Sequence, residues 1–309
     1  MTPTRLKLVL PRAFVFAALI ALVVAGAASA AFPGRNGKIA YTRSTDLALH
    51  YDIFTMRSDG TVKRNITSSA TDEFDPAWSA DGKRFAYVRG AGGNFDVFTM
   101  EANGSNRIRV AFGAGVQWEP AWAPDGTKVV FASDAGGDFE ICVVELSTGV
   151  VTQLTTNNAS DGQPVWSKQG RIAFASNSDG DFELYTMKPD GSDLRQVTHN
   201  LVSDTAPNWA PGGVRLAFVR GVAARSEIYV IRADGTSPAR RLTRNQKMDS
   251  APAWSPNGRK IAFQRQWENT DLSGRIWTML RDGTIQRPRT PRSSDAKQPD
   301  WQPLPLPLP

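Results

Sequence analysis

From residue 36 onward, short apolar runs alternate with clusters of Gly, Asp, Asn and Pro. The runs are rich in β-branched and aromatic residues ("KIAYTR", "DIFTM", "KVVFAS", "ELYTM"), and none recurs at helical spacing. That pattern predicts strands separated by turns. One phrase returns along the chain: "DPAWSADGKRFAYVR" from Asp75, "EPAWAPDGTKVVFAS" from Glu119, "QPVWSKQGRIAFAS" from Gln163, "APNWAPGGVRLAFVR" from Ala206 and "APAWSPNGRKIAFQR" from Ala251. Its prolines, Pro76, Pro120, Pro164, Pro207 and Pro252, are spaced by 44, 44, 43 and 45 residues. A second phrase alternates with it, as in "DIFTMRSDGTVKRNIT", "ELYTMKPDGSDLRQVT" and "RIWTMLRDGTIQRPRT". There a strand-like run meets an Asn-Gly, Asp-Gly or Thr-Gly pair, the composition of a two-residue hairpin turn. One period therefore predicts four strands: Pro-x-Trp, "IAF", "DIFTM" and "LT". Four-stranded units at this period predict an all-β propeller.

The first unit, "NGKIAYTR" from Asn36, lacks its own Pro-x-Trp, and the missing piece stands at the other end as "QPDWQP" with Pro299 and Trp301. Six Trp segments and six "DIFTM"-type segments then give six four-stranded blades, the ring closed by the C-terminal strand. A closed ring leaves no open sheet edge. The recurring Trp78, Trp122, Trp166, Trp209, Trp254 and Trp301 are expected to be structural, each filling the wedge between twisted sheets; a carbohydrate-stacking ladder is the alternative. Trp118 and Trp267 fall outside the set and are expected in loops.

The chain of 309 residues begins "MTPTRLKLVLPRAFVFAALIALVVAGAASAAF": a basic start, an apolar middle and a small-residue end. This is the layout of a secretory signal over residues 1–30, with Ala28-Ser29-Ala30 fitting the cleavage rule and Ala31 as the mature N-terminus. An uncleaved anchor over residues 13–32 is the rival. After cleavage no membrane-spanning segment is expected. The formal charge of +6 falls to +3 without Arg5, Lys7 and Arg12, too mild a balance to argue for nucleic acid. Cys142 is the only cysteine, which excludes an internal disulfide and suits a core position.

The repeat "PAWSPDG…IAF…DIY-M…DG…LT" resembles that of the TolB C-terminal propeller, over roughly residues 35–303. It is similar also to the propellers of prolyl-oligopeptidase-type peptidases and departs from the standard WD repeat. The resemblance implies a propeller domain 31–303, followed by a Pro-rich tail 304–309. The α/β domain that TolB places before its propeller has no counterpart here, nor does a Gly-x-Ser-x-Gly nucleophile motif. Fold alone does not assign a function.

Chemistry-bearing residues are sparse. His50 and His199 belong to blades 1 and 4, on opposite sides of the ring, and do not suggest a catalytic pair. Asp161, Asp204 and Asp249 each stand three residues before their Pro, and Asp72 and Asp295 four before. Two readings apply: a ring of oxygen ligands for Ca²⁺ at one channel mouth, or turn residues bonding their own backbone. Arg43, Arg89, Arg220 and Arg265 follow the "IAF" strands, where blades 3 and 4 have Ser133 and Ser176. They are read as inter-blade Arg–Asp pairs or as a charged recognition surface joined by Trp118 and Trp267. The leading functional expectation is an exported protein-interaction scaffold, periplasmic or secreted, with a protein partner and no obligatory cofactor. A metal-dependent polysaccharide lyase or hydrolase site at the channel mouth is the alternative. The face carrying the unequal loops is the expected working side.

Overall fold

The computed structural model describes residues 31–44, 50–221, 225–266 and 274–306, and every helix or strand assigned among them is a strand. The expected signal segment 1–30, Trp267 and residues 307–309 of the Pro-rich tail lie outside the described residues. The strands form six antiparallel sheets of four. Blades 2 to 6 are continuous in sequence, with first strands Asp72–Trp78, Gln117–Trp122, Asp161–Trp166, Asp204–Trp209 and Met248–Trp254. Blade 1 takes its first strand, Ala296–Leu304, from the far end of the chain. That strand pairs antiparallel with Arg35–Ser44, setting Trp301 opposite Ile39 and Asp300 opposite Ala40. The ring closes as the sequence predicts.

Each first strand contacts the first strands of the blades on either side, so these six strands line the axis. All six bulge at the residue before the repeated proline, where two residues oppose one on the neighbouring strand. The bulged residues, Asp75, Glu119, Gln163, Ala206, Ala251 and Gln298, all have left-handed backbone, with φ between 47° and 58°. For non-glycine residues this costs about 1–3 kcal/mol each. Some junctions recover hydrogen bonds in exchange. Glu119 accepts from the Gln163 backbone N–H (2.7 Å), Gln163 from Ala206 (2.6 Å) and Gln298 from Asp75 (3.3 Å). One strand is thereby tied to the next around the axis.

The core is divided into six clusters, one at each junction between blades. Each repeat Trp belongs to the junction with the preceding blade. Trp122 packs with Ala77, Ala86 and Val97 of blade 2 and donates from Nε1 to the Ala77 carbonyl (3.2 Å). Trp209 does the same to Val165 of blade 4, at 3.2 Å. Trp301 packs with Ala253, Ala262 and Ile276 of blade 6, so the closing strand supplies the last wedge. Trp78, Trp166 and Trp254 are equally buried, which is the structural role expected of the set.

The third-to-fourth-strand turns differ from expectation. In blade 1 the Gly60 N–H bonds the Arg57 carbonyl and the Arg57 N–H bonds Thr61, each at 2.8 Å, enclosing three residues rather than two. Gly60 has φ 92° while Asp59 stays outside the left-handed region, so this is a type I turn with a glycine bulge. The Asp serves differently: its Oδ1 accepts from both the N–H and the hydroxyl of Thr61. Asp190 and Asp282 repeat the arrangement.

Candidate functional site

In an antiparallel meander the first-to-second and third-to-fourth turns share one face, and the remaining loops and blade-to-blade connections share the other. The turn face is partly covered by the chain's own start. Ala31 and Phe32 are both 3% exposed. Ala31 packs at the junction of blades 5 and 6, and Phe32 at that of blades 2 and 3, diametrically across a six-bladed ring. The segment therefore crosses the axis, held by Ala31 N–H to the Trp209 carbonyl (3.3 Å) and Gly34 N–H to Pro256 (3.2 Å).

Just beneath the loop face a polar module recurs. At the start of each third strand in blades 3 to 5 stands a glutamate: Glu140, Glu183 and Glu227. It receives bonds from the connection to the next blade, as when Glu183 accepts from Asn200 N–H (2.5 Å) and Nδ2. Asn200 Nδ2 also donates to Asp204 Oδ2 (3.0 Å) at the start of blade 5. Asp204 in turn receives Arg220 Nε (2.7 Å) and Nη2 (2.6 Å), its cross-strand partner. Blade 6 repeats this with Glu227, Asn245, Asp249 and Arg265, the guanidinium donating at 2.6 and 2.7 Å. Asp52 in blade 1 receives Thr67 and Ser69 in a similar way.

These pairs correct the sequence expectation twice. Arg220–Asp204 and Arg265–Asp249 lie within one blade, because they sit opposite each other on paired strands. The inter-blade link is the Glu–Asn bridge, which no single repeat phrase displays. Asp161, Asp204 and Asp249 are strand residues with 0% exposure, not loop residues. Burial pushes the Asp249 carboxyl above its ordinary value even beside Arg265. Arg89 faces Glu73 (3.5 Å) and bonds Thr71, while Arg43 meets Ala296 across the first strand and lies over Phe54 (5.2 Å). Each guanidinium rests on an aromatic ring of its own blade, Arg220 on Tyr229 (5.1 Å), Arg265 on Trp277 (4.8 Å) and Arg89 on Phe98 (5.6 Å).

Blades 3 and 4 break the rule. Ser133 stands opposite Gln117, and Ser176 stands opposite Asp161 where the arginine would be. Asp161 accepts from Asn157 Nδ2 (2.8 Å) on one oxygen, its buried Oδ1 makes no hydrogen bond of normal length, and the neutral hydroxyls of Ser176 and Thr155 stand where a guanidinium would. Burial raises the carboxyls of Asp161, Glu140 and Glu183, the last to about 7. The negative charges of Asp138 and Asp161 act in the same direction on Glu140. Among the described residues no group of three or more His, Cys, Asp or Glu is placed to hold a metal ion. Asp204 and Asp249 are each engaged by an arginine of their own blade.

Trp118 is a further correction. It is a strand residue of blade 3, 8% exposed, with its ring against Phe74 (5.6 Å) and edge-on to Phe95 (4.9 Å). The preceding "AGV" hid the strand start at Gln117, three residues ahead of Pro120. His50 lies 3.8 Å from Asp72, and His199 is exposed on the connection after blade 4. Cys142 is buried in the blade 2–3 core, where burial pushes its thiol up to about 11. On the axis, Asp75 and Glu119 occupy adjacent blades. Burial raises both, Glu119 to about 7, and the Glu119 charge adds to the rise at Asp75. Neither Asp75 oxygen makes a hydrogen bond of normal length, and the nearby Gln298 amide offsets the rise only in part. These two were missed because the residue before the proline varies from blade to blade as Asp, Glu, Gln and Ala.

The family model for the TolB beta propeller domain matches residues 28–305. The chain belongs to the TolB β-propeller family. TolB from Acinetobacter baumannii superposes with a TM-score of 0.75 at 21% identity, covering 86% of this chain and 67% of that one. A putative TolB from Agrobacterium tumefaciens gives 0.65 at 19% identity, covering 87% and 99%. A dipeptidyl-peptidase 5 from Porphyromonas gingivalis is 42% identical over 43 residues, 14% of this chain, which spans only 6% of that peptidase. With the TolB structures the shared property is the fold.

Proposed function

We propose that this TolB-like propeller is an exported scaffold that binds a protein partner through its loop face, and that it is not a catalyst. The observation that carries the reading is the asymmetry of the two faces. One bears short uniform turns and is crossed by Ala31 and Phe32, whereas the other bears connections of unequal length and charge on a rigid ring. Such loops on a rigid scaffold are where recognition resides. Exposed apolar side chains stand on both faces, Leu201, Phe112 and Val202 on this one and Val62, Val150, Val214 and Ile285 on the turn face, so they do not distinguish the two. Export follows from the signal-like residues 1–30, and the periplasm or the extracellular space is the proposed compartment.

Arg220→Glu and Arg265→Glu are unsuitable probes of this face, since each would set a carboxylate against a buried aspartate. The test is affinity capture from a native cell-envelope extract, comparing Leu201→Ser/Val202→Ser and Phe112→Ser with the turn-face variants Lys83→Glu and Lys260→Glu. Loss of a captured protein in the first group alone is expected. Loss in the turn-face group alone overturns the reading. The intact mass of exported material should correspond to a chain beginning at Ala31.

A further inference from the structure

The loop face is not uniform in charge. Between Lys128 and Lys168 the chain has no Lys, Arg or His, and residues 172–187 have none either. These stretches form most of blades 3 and 4, and there the second-to-third-strand loops carry Asp138, Asp179 and Asp181. In blades 2, 5 and 6 the carboxylates at this level have cations of their own: Glu73 with Arg89, Asp96 with Arg109, Asp204 with Arg220, Glu227 with Arg241 and Asp249 with Arg265. Among the described residues, no carboxylate at this level of blades 3 and 4 makes such an ion pair, although the charge of Glu183 reaches Arg220 of blade 5.

The missing cation has a recognisable shape. Asp161 occupies the place of Asp204 and Asp249, but opposite it stands the neutral Ser176 in place of a guanidinium, and Oδ1 of this fully buried residue makes no hydrogen bond of normal length. The ring pair Phe174–Tyr185 (5.8 Å between centroids) repeats the Phe218–Tyr229 pair (5.8 Å) on which Arg220 lies. Asp181 Oδ2 is likewise buried without a partner. Uncompensated carboxylates side by side create a local negative potential that draws cationic groups. Exposed apolar residues border the sector on both sides, with Phe112 on the connection entering blade 3 and Leu201 and Val202 on the connection leaving blade 4.

We propose that blades 3 and 4 form a docking surface for a basic segment of a protein partner, its Lys or Arg residues set against Asp138, Asp179 and Asp181 and its apolar residues against Leu201, Val202 and Phe112. The inference rests on the partner-binding reading above and names the chemistry of the partner. Phosphate-bearing ligands are repelled by the same charges. Opposite charges steer encounter and set specificity, so the contact weakens with salt, while the apolar border supplies a part that does not.

The experiment uses the full mature chain and two labelled peptides of equal length, one of alternating Arg and Leu and one with Glu in place of Arg, read by fluorescence anisotropy at low and raised salt. The Arg peptide should bind and the Glu peptide should not. Asp138→Asn/Asp179→Asn/Asp181→Asn should weaken the Arg peptide by about tenfold or more, as expected for removing several facing charges. The turn-face control Asp59→Asn/Asp190→Asn/Asp282→Asn should leave it unchanged. Ser176→Arg supplies the guanidinium found in blades 5 and 6. It should raise the melting temperature and weaken the Arg peptide, a pairing of outcomes that a merely damaged fold does not produce. Equal weakening by the loop-face and turn-face triples, or binding of the Glu peptide, overturns the proposal. So does stabilisation by Ca²⁺ alone without peptide binding, which makes the sector an ion site. If capture from the native extract survives the loop-face triple but fails with Leu201→Ser/Val202→Ser, the partner-binding reading stands and this inference falls.

Discussion

Glu119 is a fully buried carboxyl that accepts a backbone hydrogen bond from blade 4, and burial lifts its pKa to about 7. A carboxyl raised in the folded state binds its proton more tightly there than in the unfolded chain. Its contribution to stability is complete below the unfolded value of 4.5 and is lost as pH rises to about 7. Glu119→Gln keeps the acceptor oxygen and removes the titration, copying Gln163 one blade on. The variant should match the wild type at low pH and be more stable above pH 7 by about 3 kcal/mol, the size of a pKa rise from 4.5 to about 7. Thermal unfolding across that range checks it, and Asp75, which faces Glu119, should leave a residual slope. The Arg265–Asp249 pair makes an opposite prediction. With side chains 9% and 0% exposed, it is a buried ion pair, and Arg265→Met strands the aspartate. The expected loss is about 3–5 kcal/mol, read by denaturant unfolding. Arg232→Met, which breaks an exposed pair with Asp234, should cost little.

The strand Ala296–Leu304 is the element on which closure depends. It is the inner edge of blade 1 and supplies Trp301, 1% exposed, to the junction with blade 6. Trp301→Ala is expected to destabilise by about 3–5 kcal/mol, the usual result of truncating a buried aromatic. Val62→Ala, at a residue 63% exposed, should change the melting temperature little. Equal effects would mean that the closing strand does not bear on the junction. The strand order and closure were legible from repeat spacing and the displaced Pro-x-Trp. The turn type was not, because Asp-Gly serves both two- and three-residue loops and the choice depends on the register of the flanking strands.

Across the whole molecule, the N-terminal residues join opposite sides of the ring. Phe32 lies with Ala77 and Trp122, and Ala31 with Ala206 and Trp254, so the segment bridges junctions that share no blade. Phe32→Ala should lower the melting temperature by removing a buried aromatic, at a cost of about 3–5 kcal/mol. Capture through the loop face should remain, because the change lies on the turn face. A loss of capture with an unchanged melting temperature would contradict both parts.

The sequence alone determined the blade number, the strand order, the closure and the buried tryptophans. All of these depend on periodicity, and a repeated apolar pattern carries its own spacing. What each arginine does was decided only by tertiary structure. Arg220 and Arg265 pair with Asp204 and Asp249 because antiparallel register places residues 16 positions apart in direct opposition. Trp118 became a core residue because a bulge extends its strand past the proline. The candidate surface on blades 3 and 4 was visible in the sequence as two serines where arginines recur. Its meaning appeared only when folding set Asp161 opposite Ser176, since a carboxylate is unpaired only relative to the side chains that packing brings within reach.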